Sequence, residues 1–398
     1  MMASAGKRIL FIVENLPSPF DRRVWQEAIT LHQNGYQVAI ICPTGKGYEE
    51  KYECLDGIHI YRHPLPPEAE GALGYVLEYS VALYWEFYLS FKVLFSHGFD
   101  AIHACNPPDL IFLVAGFFKF FFHKKFLFDH HDINPELYEA KFGRRDFFYR
   151  LMLLCERLTF KTADRSIATN ESYKQIAIER GGMHPDKVTV VRSGPKLDRL
   201  KIIEPVLALK KGRKHLVGYV GVMGKQEGID YLLRALQYIV EHKNRTDVHF
   251  GLVGGGTELA SLQAYAKALG VEDYVTFTGR VSDQQMLEML NTADVCVNPD
   301  VANEMNDKST MNKIMEYMAL AKPIVQFDLS EGRFSAQEAS LYARRNDTKD
   351  FAEKILLLLD DQVKRKTMGD FGRNRIITEL EWKYEEPKLL EAYRLLFL

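Results

Sequence analysis

Residues 306–325 read NDKSTMNKIMEYMALAKPIV. Ser309 and Thr310 precede an apolar-periodic segment, the position of a helix N-cap, and Lys308 and Lys313 bring positive charge to that end. Free backbone N–H groups and the helix dipole attract an anion there. Inside the helix Ile314, Met315 and Met318 take the core side, which leaves Glu316 on a different face. A carboxylate next to an anion site suits paired hydrogen bonds from sugar hydroxyls, so the stretch suggests a nucleotide with diphosphate at the helix start and ribose on Glu316. The plain alternative is that Ser309 merely caps a helix and Glu316 is solvated. Either way the helix runs into KPIVQFD (322–328), a strand, and a helix feeding a strand is part of a parallel-sheet unit.

The alternation extends upstream. HLVGYVGVMG (215–224), VHFGLVGGG (248–256), YVTFTGR (274–280) and VCVNPD (295–300) are strands separated by helix-length segments such as IDYLLRALQYIVEH (229–242) and SDQQMLEMLNTAD (282–294). With KPIVQFD they make five strands of a doubly wound α/β sheet. A polar, lysine-rich connector, EPVLALKKGRK (204–214), precedes them as an interdomain linker. Before it the pattern runs through RILFIVEN (8–15), a helical stretch near 22–34, QVAIICP (37–43), DAIHA (100–104) and DLIFLVAGFFKFF (109–121), read as a buried helix. KKFLFDHHD (124–132), DRSIATN (164–170) and VTVVRSGP (188–195) complete the first half. The expectation is two Rossmann-like domains, about 1–197 and 198–380, and a final amphipathic helix within 381–398 that crosses back to the first. Ligands of such sheets bind beyond the carboxyl ends of the strands, so two facing sheets would enclose one cleft.

Composition agrees with a two-domain enzyme. The chain has 398 residues, 47% hydrophobic and 26% charged, and a net charge of −2 that argues against a nucleic-acid binder. Cys42, Cys54, Cys105, Cys155 and Cys296 are odd in number and form no CxxC pair, which favours reduced thiols in a cytosol. The apolar run Ile9–Val13 is too short for a signal-peptide core, and export is not expected. IFLVAGFFKFFF (111–122) is too short to span a bilayer, and LGYVLEYSVALYWEFYLSFKVLF (73–95) carries Glu78, Glu86 and Lys92. No Asp-x-Asp occurs and the histidines lack zinc spacing, so neither metal nor other cofactor is expected.

EYMALAKPIV (316–325) resembles the second glutamate, and everything after it, of the Glu-x7-Glu signature of family 4 glycosyltransferases of the GT-B fold. The first glutamate of that signature falls on Lys308, with Asp307 adjacent as a substitute for contact with the donor sugar. GYVGVMGKQEGIDYLLRA (218–235) is similar to the family's strand, glycine loop and helix at the donor diphosphate, with Gly221 at the turn. Val222 and Glu227 stand where the family carries an Arg and a Lys, which leaves Lys225 as the cation of the loop, with Lys313 to share its task. TFTGRVSDQQM (276–286) matches the loop whose backbone reads the base, at Arg280 and Val281. In the first half the resemblance implies a catalytic His131-Asp132 pair beside the anomeric carbon, with Asn106, His130 and Glu136 as acceptor-side candidates. ENLPSPFDRRVWQEA (14–28) replaces the family's glycine pair, with Arg22 or Arg23 reaching a phosphate.

The resemblance implies retaining transfer from a nucleotide-diphosphate sugar, commonly a UDP-sugar, to a saccharide or lipid-linked acceptor in polysaccharide biosynthesis. KFGRRDFFYRLMLL (141–154) interleaves basic and aromatic residues, which suits an anionic membrane surface as a partner and a peripheral place on the inner face of the cytoplasmic membrane. A sugar-nucleotide epimerase of the same fold and a non-catalytic nucleotide- or membrane-binding scaffold are the competing readings.

Overall fold

The computed structural model describes residues 6–65, 71–107 and 109–398, with the side chains of 71–79, Glu78 among them, outside the description. The chain divides into unit 1, Met1–Ser193 with Glu385–Leu398, and unit 2, Gly194–Tyr384.

Unit 1 holds strands β1 (Arg8–Ile12), β2 (Gln37–Pro43), β3 (Tyr52–Leu55), β4 (Ile58–His63), β5 (Ala101–Cys105), β6 (Lys125–His130), β7 (Arg165–Ala168) and β8 (Val188–Val190). They lie in the order β3-β4-β2-β1-β5-β6-β7-β8, parallel except for the β3–β4 hairpin. Its helices are α1 (Arg22–Gln33), α2 (Gly71–Ser96), α3 (Phe112–Phe122), α4 (Asn134–Phe142), α5 (Phe147–Thr162) and α6 (Glu171–Glu179).

Unit 2 holds β9 (His215–Val220), β10 (Val248–Val253), β11 (Val275–Phe277), β12 (Val295–Asn298), β13 (Ile324–Phe327) and β14 (Ser340–Ala343), in the order β11-β10-β9-β12-β13-β14. Its helices are α7 (Ile229–Gln237), α8 (Leu259–Ala268), α9 (Asp283–Thr292), α10 (Glu304–Lys308), α11 (Asn312–Ala319), α12 (Ser330–Ala336), α13 (Thr348–Asp360) and α14 (Gln362–Arg375). The last helix, α15 (Glu386–Leu396), packs on unit 1 against α1, β7 and β8. Tyr393 on it is buried, with its hydroxyl 2.6 Å from His103 Nδ1.

Central strands are apolar on both faces because helices cover both faces of the sheet, and Leu10, Phe11 and Ile12 in β1 are wholly buried. Helix starts follow local chemistry: the Asp21 carboxylate accepts from the N–H groups of Arg23 and Val24 at the head of α1, and Asp146 does the same for α5. The strand order reverses between β1 and β5 in one unit and between β9 and β12 in the other, the points at which doubly wound sheets admit ligands.

Three details differ from the sequence expectation. Unit 2 has a sixth strand, β14, whose four residues SLYA are too few to show a period. The hairpin β3–β4 adds an edge to unit 1. The helix read as buried, α3, buries only Val114, Ala115 and Phe118 and exposes Leu113, Phe120 and Phe121.

Candidate active site

In unit 1 polar side chains converge at the carboxyl ends of β5 and β6. Asp129, fully buried on β6, accepts from Arg23 through Nη2 at 2.9 Å and Nε at 3.1 Å. His131 Nε2 lies against Asp129 Oδ2 and 3.0 Å from Arg23 Nε. Arg23 also pairs with Glu27 at 3.0 Å and donates to Val191 O at 2.8 Å and Ser193 Oγ at 3.2 Å. His103 Nε2 stands 3.4 Å from both Glu27 and Asp129.

One guanidinium thus faces two carboxylates in a dry site, and they separate in character. Burial works against ionised Asp129, but Arg23 and then His131 hold it well below the usual carboxylate range. Burial pushes Glu27 well above that range, offset only in part by Arg23, and also lowers His103.

The partner of His131 is therefore Asp129 and not Asp132. Residues two apart on extended backbone face the same way, so Asp129 and His131 share a side while Asp132 turns elsewhere. Asp132 is met through its backbone: Asn106 Oδ1 accepts from the N–H of His131 at 2.7 Å and of Asp132 at 3.2 Å, and Asn106 Nδ2 donates to Asp132 O at 2.6 Å. Asn106 Nδ2 also donates to Asp109 at 3.0 Å. Asn106 is thus a brace for the turn that carries His131, with its donors and acceptor engaged inside the protein.

Two acceptor-side candidates have structural partners instead. His130 is buried against Phe128, Phe160 and Tyr173, and burial pushes its imidazole down to about 3. Glu136 is buried and shares Arg180 with Glu156. Arg23 is held by Asp129 in the core rather than offered to a phosphate. His103, Cys105 and Asp129 place one ligand atom each within 4.8 Å of one another, but the adjacent guanidinium would repel a cation there.

In unit 2 three strand-end loops close on one another. The Gly221 N–H donates to Val253 O at 3.0 Å, the Gly254 N–H to Gly279 O at 2.9 Å, and the Met223 N–H to Gly255 O at 2.9 Å. Gly254, at φ +135°, allows this approach: a Cβ there would lie 1.8 Å from Gly221 O. Lys225 and Arg280 are exposed on these loops and Val281 is half-buried. Lys225 borders a cavity of about 250 Å³ with Gly224, Asp230, Tyr231, Glu258 and Val301.

The stretch that opened the sequence reading folds differently at its start. Two helices form, α10 and α11, and Ser309 ends the first rather than capping the second: its hydroxyl donates to Met305 O at 2.7 Å. Helix α11 begins at Asn312 with Met311 at its cap and no side-chain cap bond, and Thr310 lies in the link. Lys308 pairs with Glu304 at 2.7 Å. Asp307 is held by Arg345 at 2.7 Å and by Ser330, whose N–H and hydroxyl donate to it. Lys313 turns inward, 2.7 Å from both Glu227 and Asp300. Burial pushes Asp300 up to about 7 despite Lys313, whereas Lys313 outweighs burial at Glu227 and lowers it. The glutamate that stands where the resemblance puts a lysine is thus neutralised by a lysine from another helix.

Glu316 is held in place by its neighbour Tyr317, whose buried hydroxyl accepts from Val220 N–H at 2.9 Å and donates to Val297 O at 3.2 Å, pinning α11 to β9 and β12. The Glu316 carboxylate meets Arg199, whose Nη1 lies 3.6 Å from Asp283. Arg199, 117 positions away, gave no signal in sequence. Glu27 and His103 likewise announced nothing, whereas Asp129 stands in the polar run DHHD at the end of a strand, where the sequence paired His131 with Asp132 instead.

Two family models match: "Glycosyltransferase Family 4" over residues 21–199 and "Glycosyl transferases group 1" over 214–361. The capsular polysaccharide biosynthesis glycosyltransferase CapM of Staphylococcus aureus is 26% identical over 251 residues, 58% of this chain and 62% of that protein. Alignments to the first two curated relatives span 67% and 60% of their length. Among solved structures, sucrose-phosphate synthase from Thermosynechococcus elongatus superposes with a TM-score of 0.81 at 19% identity, over 98% of this chain and 99% of that one. Anabaena Alr3699/HepE in complex with UDP does so at 0.72 and 15%, over 98% and 100%. The chain belongs to the family 4 glycosyltransferases, and its fold is GT-B.

Proposed function

We propose that this family 4 glycosyltransferase moves a sugar, with retention, from a nucleotide-diphosphate sugar to a saccharide or lipid-linked saccharide acceptor in polysaccharide or glycan assembly. The donor is a UDP-sugar, no metal takes part, and the protein works peripherally on the inner face of the cytoplasmic membrane. The HepE complex with UDP supports the choice of base. The observation that carries the reading is the pair of strand-end clusters: His131 set by Asp129 at the end of β6, and Glu316 set by Tyr317 beyond β12.

In this reading the loop N–H groups after β9 and β10, with Lys225, receive the diphosphate, and preorganised donors of that kind need no reorganisation as charge develops. The backbone at Arg280 and Val281 meets the base. Glu316 takes the ribose hydroxyls, exchanging the guanidinium of Arg199 for them. The departing phosphate oxygen takes the acceptor proton on the face it leaves. His131, whose ring Asp129 orients, polarises the reacting groups.

Calorimetric titration of UDP, GDP and ADP without divalent metal, into the wild type and Glu316→Ala, tests this. UDP is expected to bind the wild type, and the substitution to weaken it by about 1.5 kcal/mol or more through loss of hydrogen bonds to a charged group. Absence of binding by every nucleotide in the millimolar range would overturn the donor site and favour the scaffold reading.

A further inference from the structure

Helix α3 packs against both α2 and α5. Phe91 and Phe87 of α2 meet Phe117 of α3 at 5.8 and 5.5 Å between ring centroids, and Lys119 of α3 donates to Thr162 O of α5 at 2.7 Å. The inward sides account for the contacts, and the outward sides are apolar. Tyr84, Tyr88 and Phe95 form a stripe along α2, and Phe147, Leu151 and Leu154 form one along α5. On α3 the exposed residues are Leu113, Phe120 and Phe121. Phe95, Phe120 and Phe147 are 80%, 75% and 71% exposed. Single exposed apolar residues are ordinary, but nine on three adjoining helices form a patch of the kind that marks an interaction surface.

Charge identifies the occupant. Between residues 80 and 163 eight Lys or Arg residues are exposed and no Asp or Glu is, in a chain whose net charge is −2. Arg150, Arg157 and Lys161 lie along α5 on the same outward side as Phe147, Leu151 and Leu154. A second copy docked face to face would bring like charges together. No helix among the described residues is long and apolar enough to cross a membrane. Aromatic side chains that reach the headgroup boundary, beside lysine and arginine, suit a leaflet of anionic phospholipid.

We propose that the outward face of α2, α3 and α5 docks unit 1 onto an anionic bilayer surface. The proposal deepens the peripheral location given above by naming the face that carries it. The sequence reading of a membrane surface centred on residues 141–154, and the aromatic-rich stretches 73–95 and 111–122 entered it only as segments unable to span a bilayer. The structure moves the centre of the face to α3, with α5 as its basic flank.

The test is co-sedimentation with vesicles of phosphatidylcholine with and without phosphatidylglycerol, over a range of salt. Two variants are compared with the wild type, Phe120→Ser/Phe121→Ser/Phe147→Ser and Arg150→Ser/Arg157→Ser/Lys161→Ser. The wild type is expected to bind only the anionic vesicles and to be released by salt. Losing three cations is expected to weaken binding on the order of a hundredfold, about fivefold for each, and the aromatic variant to weaken it at every salt concentration. No binding to anionic vesicles, equal binding to both kinds, or an aromatic variant that binds like the wild type would each overturn the proposal. So would a concentration-dependent dimer abolished by the aromatic variant in a protein that ignores vesicles. Because all the substituted side chains are solvent-facing, an unchanged melting temperature checks that both variants fold. UDP titration of the same proteins keeps the two readings apart: vesicle binding without UDP binding removes the donor site and leaves the membrane face.

Discussion

Replacing Asp129 by asparagine tests the arrangement of unit 1 more sharply than any other substitution. Asp129 is fully buried and accepts two bonds from Arg23, at 2.9 and 3.1 Å, in addition to its contact with His131. Removing one partner of a buried ion pair generally costs about 3–5 kcal/mol, because the other charge stays behind without compensation. Here the lower end applies, since Glu27 is 3.0 Å from the same guanidinium and can ionise to replace the lost charge. For a unit of roughly 200 residues, about 3 kcal/mol lowers the melting temperature by about 7 °C. The control is Asp132→Asn, expected to cost below about 1 kcal/mol, since Asn106 holds residue 132 by its backbone.

The pH dependence has a definite sign. The folded value of Asp129 lies well below its unfolded one, so its contribution is fully present above the unfolded value near 4 and is lost as pH falls through the folded value. The difference between wild type and Asp129→Asn should therefore be largest near pH 5; it shrinks in stronger acid as Asp129 takes up a proton, and shrinks toward pH 7 because the raised Glu27 costs the wild type stability that the ionised Glu27 of the variant does not. Scanning calorimetry at pH 7 and pH 5 measures both quantities. A cost for Asp132→Asn equal to or above that of Asp129→Asn would refute the assignment of Asp129 as the partner of His131.

Two further outcomes follow from unit 2. Lys313→Met strands Glu227 and Asp300 together in a buried site and should cost about 3–5 kcal/mol at pH 8. Asp300 has its folded value raised to about 7, so its favourable protonated form is lost as pH rises through 7, and the deficit of the variant in urea denaturation should be smaller at pH 5 than at pH 8. Gly254→Ala places a Cβ 1.8 Å from Gly221 O at φ +135° and should cost about 3 kcal/mol and abolish UDP binding, whereas Gly255→Ala, with no atom nearer than 4.0 Å, should change stability by below about 0.5 kcal/mol. Thermal melting with and without UDP compares the two, and equal behaviour would contradict the packing of the strand-end loops.

Some of this was legible in the sequence for a physical reason. Parallel strands covered by helices on both faces are continuous apolar runs, so RILFI, QVAIICP and KPIVQF show themselves through neighbours in the chain. Polar residues directly after such runs, as in DHHD and VGGG, mark strand ends, and the match of EYMALAKPIV placed Glu316 beyond one of them. Tertiary structure alone decided which charges meet. Arg199 and Glu316 are 117 positions apart and Arg23 and Asp129 are 106 apart, and no local period encodes such a pairing. It also decided that Lys313 turns inward to Glu227, since a lysine two residues into a helix has the same sequence signal whether it binds an anion or neutralises a buried carboxylate. Helix α3 shows the same limit from the apolar side. FLVAGFFKFFF is hydrophobic around its whole circumference, so its periodicity cannot say which side is buried, and only its packing against α2 and α5 leaves Phe120 and Phe121 facing outward.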